Sequence, residues 1–282
     1  MGSRFTIAKA GSLACGLLAA ASTGTVFAQS PAQALLTDSF VFSLGTFVVN
    51  SDVSARLNGQ TSNPEYDFDK TFGNDDDSTR VRLDGLWRIT PAHHLRFMYF
   101  DNSRKSSKAV TDFKWGDYTF NGQLDSEYKN QTSALIYEYA FMRSPSYELA
   151  GTFGIHYTKT SLALSGSATV TQPGGGQSPA QAASRSETVP APLPVIGFRG
   201  GWAVAPNWYL DAEGQFFKVN VDGVDGNWSD VRLGATWMFS RNFGLGLGYN
   251  KFTMRTDVAK GTFNGTLKTG YSGLQAYLTG SF

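Results

Sequence analysis

Among its 282 residues the chain has one cysteine and three histidines. A single thiol excludes an intramolecular disulfide, and this set excludes a multi-cysteine zinc site. Charge is scarce too, with Asp, Glu, Lys and Arg making up 17% of the chain, below the roughly 25% of an ordinary soluble domain. Lys and Arg number 24, Asp and Glu 23, for a net charge of +1. That balance lacks the basic field of nucleic-acid binders. Beyond residue 28 no run approaches the roughly 18 consecutive apolar residues of a spanning helix. No glycine-rich phosphate loop, metal-spaced cluster or serine nucleophile elbow occurs, so no cofactor and no metal is implied.

What the chain does contain is glycine (31) and aromatics (12 Tyr, 21 Phe, 6 Trp). At the front, Arg4 and Lys9 precede the small-residue run Ala10 to Ala21, and Val26 and Ala28 stand at −3 and −1 before Gln29. This is the pattern of a cleaved secretory signal peptide over residues 1–28, too short to serve as an anchor. Its removal takes away Arg4, Lys9 and Cys15, leaving a cysteine-free exported chain of net charge −1. Residues 29–38 are then a short periplasmic segment and 39–282 the folded body.

In that body apolar and polar residues alternate. Val81, Leu83, Gly85, Trp87 and Ile89 interleave with Arg82, Asp84 and Arg88, and Leu135, Tyr137, Tyr139 and Phe141 with Ile136, Glu138 and Ala140. Val231, Leu233, Ala235 and Trp237 interleave with Arg232, Gly234 and Thr236, and Leu245, Leu247 and Tyr249 with glycines. Period two with two unlike faces is a strand between two unlike surroundings. A secreted sandwich or a soluble barrel would also alternate. Trp and Tyr or Phe beside the turns (Trp87, Tyr139, Phe141, Trp202, Trp208, Trp237, Phe243) instead favour aromatic girdles at a bilayer interface.

Connections are of two kinds. Pro91–His93, Arg143–Ser146, Pro206-Asn207 and Arg241-Asn242 are tight turns. Gly59–Ser78, Ser103–Gln123, Thr171–Pro192, Asp222–Asn227 and Thr256–Gly265 are long polar excursions. Outer-membrane barrels have short periplasmic turns and longer external loops. The expected fold is therefore all-β, an antiparallel up-and-down transmembrane β-barrel of ten strands: 39–58, 79–90, 93–112, 124–142, 147–171, 194–205, 208–222, 227–240, 243–256 and 266–282. One missed or doubled strand would give eight or twelve.

The C-terminal strand, with Tyr271, Gly273, Leu274, Ala276, Leu278 and the terminal Phe282, resembles the β-signal of Gram-negative outer-membrane proteins. Phe72-Gly73, Asp75-Asp76, Arg82–Gly85, Trp87-Arg88 and Leu95 are similar to uncharacterised proteobacterial barrel proteins, and the chain as a whole resembles the OmpA/OmpX-like superfamily. The resemblance implies the cell outer membrane as location. Its lipid, lipopolysaccharide and the barrel-assembly machinery are the implied partners, with a monomeric state and no nucleic acid.

If the apolar face meets lipid, the lumen collects Arg82, Asp84, Arg88, Arg96, Glu138, Glu148, His156, Arg199, Asp211, Glu213 and Arg232. Their signs alternate from strand to strand, so they can pair across the interior as a plug or line a narrow conducting path. Arg88 and Arg96, on either side of the Pro91 turn, are expected opposite one another with Glu138 and Glu148 leaning across.

A barrel enzyme is the rival class. An omptin-like protease needs paired acids and an Asp–His couple at the external rim, yet His93 and His94 flank a tight turn. His156-Tyr157-Thr158 departs from the lipid-facing His-x-Ser of PagL-type lipid A deacylases. The expectation is no enzyme but a structural, surface-interaction or small-pore role. In the loops, Asp67, Asp69 and Asp75–Asp77 match no calcium spacing. Arg104, Lys105, Lys108 and Lys114 suit lipopolysaccharide phosphates. Pro173 to Pro194 reads as a mobile external loop.

Overall fold

The computed structural model describes residues 29–58, 62–72, 78–172, 176–221, 223–260 and 263–282. The segment expected to be a signal peptide and the run Asp75–Asp77 lie outside the described residues. Ten antiparallel strands form a closed ring: β1 (Phe40–Leu57), β3 (Ser78–Arg88), β4 (His93–Trp115), β5 (Tyr118–Arg143), β6 (Tyr147–Val170), β7 (Gln181–Ala205), β8 (Trp208–Val221), β9 (Val224–Met238), β10 (Phe243–Lys260) and β11 (Phe263–Ser281). Each strand pairs with its sequence neighbour, and β11 closes on β1 from Val41↔Ser281 to Leu57↔Gly265. Phe40 and Phe282 exchange backbone hydrogen bonds of 2.9 Å at the closing seam. A two-residue strand β2 (Tyr66–Asp67) and the helix α2 (Phe68–Phe72) lie in the β1–β3 connection, and a helix α1 (Pro31–Thr37) precedes β1.

Toward the tight turns the outward face is apolar. Leu247 and Leu274 are 69% and 68% exposed, and Trp87, Tyr139, Phe141, Trp208, Trp237, Phe243 and Phe282 ring the turn end. An uncovered apolar belt around a closed ring is unfavourable in water, and it is the outward surface expected of a transmembrane barrel.

The belt ends in a sharp row. Tyr99, Ser133 and Tyr157 are register partners across β4, β5 and β6, and the next outward row is Asp101, Gln131 and Lys159. At that level the inward face changes in the opposite sense. Below it lie charges; from Phe100 upward the inward residues include Tyr128, Leu162, Leu164 and Leu124, all buried. Phe68 and Phe72 cap this second core by packing on Phe113 and Trp115, with ring centroids 5.6–6.2 Å apart. Near the turns the ladders thus place the charges inside and apolar residues outside. Beyond the row they place aromatic and aliphatic residues inside, interspersed with Asn102, Asn130 and Thr160, and polar residues outside.

Most of the expected long loops are therefore strands. β4 and β5 run on to a two-residue turn at Gly116-Asp117, where Gly116 has φ +60. Arg104 lies on β4 with its guanidinium over the Tyr128 ring, Lys105 pairs with Glu127, and Lys108 and Lys114 sit higher still. The basic residues expected at a lipid-phosphate level are thus mostly well above the belt. β7 starts at Gln181, so Pro173–Pro194 is not one free loop; its Ala, Ser and Thr residues continue the ladder with β6, from Ala168↔Gln181 onward. Composition signalled a loop because small polar residues suit both a loop and an exposed strand above the belt.

Candidate functional site: the charged lumen

The lumen begins at α1. Ser30 N–H donates to Gln33 Oε1 at 3.0 Å and Pro31 occupies the first turn, which fixes a short helix. Ala32, Leu35 and Leu36 pack on Tyr209 and Met238 inside the turn-end mouth. Arg88 donates to Leu35 O (2.7 Å) and Asp38 O (2.9 Å), supplying partners at the helix C-terminus. Arg241 grips Asp38 with two bonds of 2.6 and 2.7 Å, and Ser281 Oγ donates to Asp38 Oδ2 at 2.7 Å. The expected periplasmic segment is a stopper.

Above the stopper Glu138 is the hub. It is fully buried and meets Arg96 Nε at 2.8 Å and Arg199 Nε at 3.1 Å. Arg96 also forms a two-pronged pair with Glu213. Arg199 reaches Glu148 at 3.4 Å, and Arg88 lies 3.9 Å from the same carboxylate. On the other side Arg82 pairs with Asp84 at 2.9 Å and donates to Asn250 Oδ1 at 2.9 Å, while Arg232 stands 3.8 Å from Asp84. Asp211 lines a cavity of about 80 Å³ with Arg96, Arg199 and Arg232, beneath which Leu35 closes the space. His156 is buried, with Nε2 2.8 Å from Gln215 Oε1 and its ring 4.8 Å from Trp228.

All eleven residues expected in the lumen point into the ring. One relation among them differs from expectation. Arg88 is opposite His94, and Arg96 is opposite Leu86. β3 ends at Arg88 and Ile89–Ala92 form the turn, two residues more than the expected strand ends at 90 and 93 allowed. The shifted register separates the two arginines and leaves neutralisation to Glu138 and Glu148. Of the assembly-signal positions, Leu274, Ala276, Leu278 and Phe282 face outward, while Tyr271 points inward and stacks on Phe252 at 4.9 Å.

Several members were missed. His94 is buried 3.8 Å from both Glu138 and Glu148, with Nε2 3.1 Å from Pro91 O. Asp230 and Asn250 extend the Arg82 branch, Asn250 donating to Asp230. The inward parity of β9 and β10 could have flagged both. The Tyr277 ring occupies the space left by Gly246, and the start of its side chain lies against Gly45, where a Cβ would meet the Tyr277 Cβ. Glycines on a polar face signal such a partner without naming it. Among the described residues no cluster of three potential metal ligands occurs.

No protein-family profile matches the chain, and no curated protein matches it in sequence. Among solved structures, the outer membrane protease OmpT of Escherichia coli is similar, with 11% identity and a TM-score of 0.55 over 86% of this chain and 96% of that one. The toluene transporter TodX of Pseudomonas putida has 7% identity and a TM-score of 0.36 over 90% and 93%. The attachment invasion locus protein Ail of Yersinia pestis has 14% and 0.32 over 85% and 97%. The likeness to OmpT is one of fold: an all-β outer-membrane type of barrel.

Proposed function

We propose that the chain is an integral outer-membrane barrel that acts as a closed scaffold, holding a rigid β-structured stalk outside the cell for surface interaction, and that it is neither a channel nor an enzyme. The carrying observation is that side chains occupy the lumen along its length, with α1 in the mouth, the Glu138 network above it and the aromatic core from Phe100 to Trp115. Among the described residues they leave only small spaces, such as the cavity of about 80 Å³ beside Asp211. A water-filled conducting path needs the opposite arrangement, a polar lumen open at both ends.

The outward apolar belt, the aromatic ring at the turns and the C-terminal Phe282 support membrane insertion with the tight turns periplasmic. The omptin-like alternative gains nothing from the histidines, since His93 and His94 sit at the turn end and His156 is bonded to Gln215 in mid-barrel. Single-channel recording on the refolded protein is the test. A silent bilayer supports the scaffold. Discrete openings that persist with α1 in place would replace it by a pore.

A further inference from the structure

Two seams of the wall open above the belt, and they are treated differently. β3 pairs with β4 only from Arg82↔Phe100 to Arg88↔His94, so β4 loses that neighbour higher up. The chain fills this gap itself: Tyr66 Oη accepts from Lys114 N at 2.9 Å, Phe72 O from Ser106 Oγ at 2.5 Å, and β2 pairs with β1 at Ser54↔Asp67. The second seam is between β7 and β8. Their ladder stops at Ile196↔Phe216, although β7 continues up to Gln181 and β8 to Val221. Among the described residues none pairs with the upper edge of β7 on that side.

The sequence keeps this seam apart. Pro190, Pro192 and Pro194 are alternate residues, and successive residues of a strand aim their N–H groups at opposite neighbours. All three missing N–H groups thus fall on one edge. The ladder with β6 runs unbroken through them, at Lys159↔Pro190, Tyr157↔Pro192 and Ile155↔Pro194, so the bare edge is the one facing β8. The gap begins where the prolines begin.

Its surroundings have two chemistries. Leu193 and Phe217 face inward and pack on the core, yet both stay partly exposed, unlike Phe252, Met254 and Tyr128. Pro194 is level with Ile155 and Pro192 with Tyr157, so the slot meets the top of the apolar belt. Two exposed lysines flank it one outward step above the belt: Lys218 beyond Phe216 on the rim strand β8, and Lys159 beyond Tyr157 on β6, directly behind the other rim at Pro190 of β7.

We infer that the β7–β8 seam is a lateral binding site for an anionic lipid of the outer leaflet, its acyl chain in the slot between Leu193 and Phe217 and its phosphate between Lys159 and Lys218. The inference rests on the membrane placement proposed above. Continuity with the lipid-facing belt favours a lipid over a peptide strand, because the prolines remove the donors that a strand would need. A second copy standing in the same membrane would bring its β7 edge in parallel and would face the same missing donors.

The test is native mass spectrometry of the mature protein reconstituted with phosphatidylglycerol or phosphatidylcholine. Wild type should retain phosphatidylglycerol preferentially. Lys159→Gln and Lys218→Gln should each weaken retention about fivefold, with Lys251→Gln, away from the seam, unchanged. Restoring the donors with Pro190→Val, Pro192→Val and Pro194→Val should zip the seam and abolish retention. Leu193→Trp fills the slot without touching the backbone and should do the same if the triple variant folds poorly. Retention that survives both seam variants, equal retention of the two lipids, or a proline-dependent dimer or bound peptide would overturn the inference. Failure to enter bilayers of either lipid would overturn the membrane placement itself, and it is recognisable because wild type and variants fail alike.

Discussion

The guanidinium of Arg199 on β7 meets the carboxylate of Glu138 on β5 at 3.1 Å although all of β6 separates their backbones. Both side chains lean across the lumen, so this contact ties wall segments that share no hydrogen bonds. Glu138 also holds Arg96.

Removing the hub should therefore be felt widely. Losing one partner of a buried pair costs about 3–5 kcal/mol because it strands the other charge. Glu138→Gln should lower the melting temperature of the refolded barrel, and Glu138→Lys should lower it much further by crowding a third cation against Arg96 and Arg199. Adding Arg96→Glu to Glu138→Lys should recover only part of the loss, since Glu213, the other partner of Arg96, would then face a like charge. Thermal melts in detergent check this. Equal, mild effects of the two single changes would mean that water screens the lumen.

Gly246 offers a steric counterpart. A side chain there would run into the Tyr277 ring, whose hydroxyl lies 2.9 Å from Thr236 Oγ1. Gly246→Val should destabilise by about 1–3 kcal/mol, and Tyr277→Ala in the same chain should relieve part of it. Denaturant melts of the single and double variants give the answer; a double variant less stable than both singles would point away from a ring clash.

How much of this was readable beforehand follows from what each pattern encodes. Strand parity placed Glu138, Arg199 and their partners inside because period two assigns faces without knowing the neighbours. It could not set the β3–β4 register, which depends on where the turn at Ile89–Ala92 lets the ladder begin; hence Arg96 meets Leu86 and not Arg88. The strands above the belt were hidden because their outward residues, such as Lys105, Glu127 and Ser165, are as polar as a loop. The stopper was hidden because Ala32, Leu35 and Leu36 are too few to stand out as an amphipathic helix.

Protease accessibility reads the orientation. Added to intact cells, a protease should cut the connection at residues 171–180 and spare Pro206-Asn207, and the β7 segment from Gln181 onward should resist as part of a ladder. Cleavage at the Pro206 turn alone would invert the topology.

Phe282 closes the ring through Phe40 and packs edge-on to Phe243 at 5.8 Å. Deleting it should leave export intact but reduce insertion, with periplasmic protein accumulating in cell fractionation. Normal outer-membrane levels of the truncated chain would remove the C-terminal residue from the assembly signal.

The change of polarity at the Tyr99–Ser133–Tyr157 row has a consequence for how unambiguously the strands align. In a strand with one dry face, a slip by one residue is penalised over that face alone. Here the same slip would push Glu138 and Arg96 toward hydrocarbon below the row while turning Tyr128 and Leu162 out to water above it. Each hairpin is proofread twice, by two solvents demanding opposite answers, and only one alignment satisfies both.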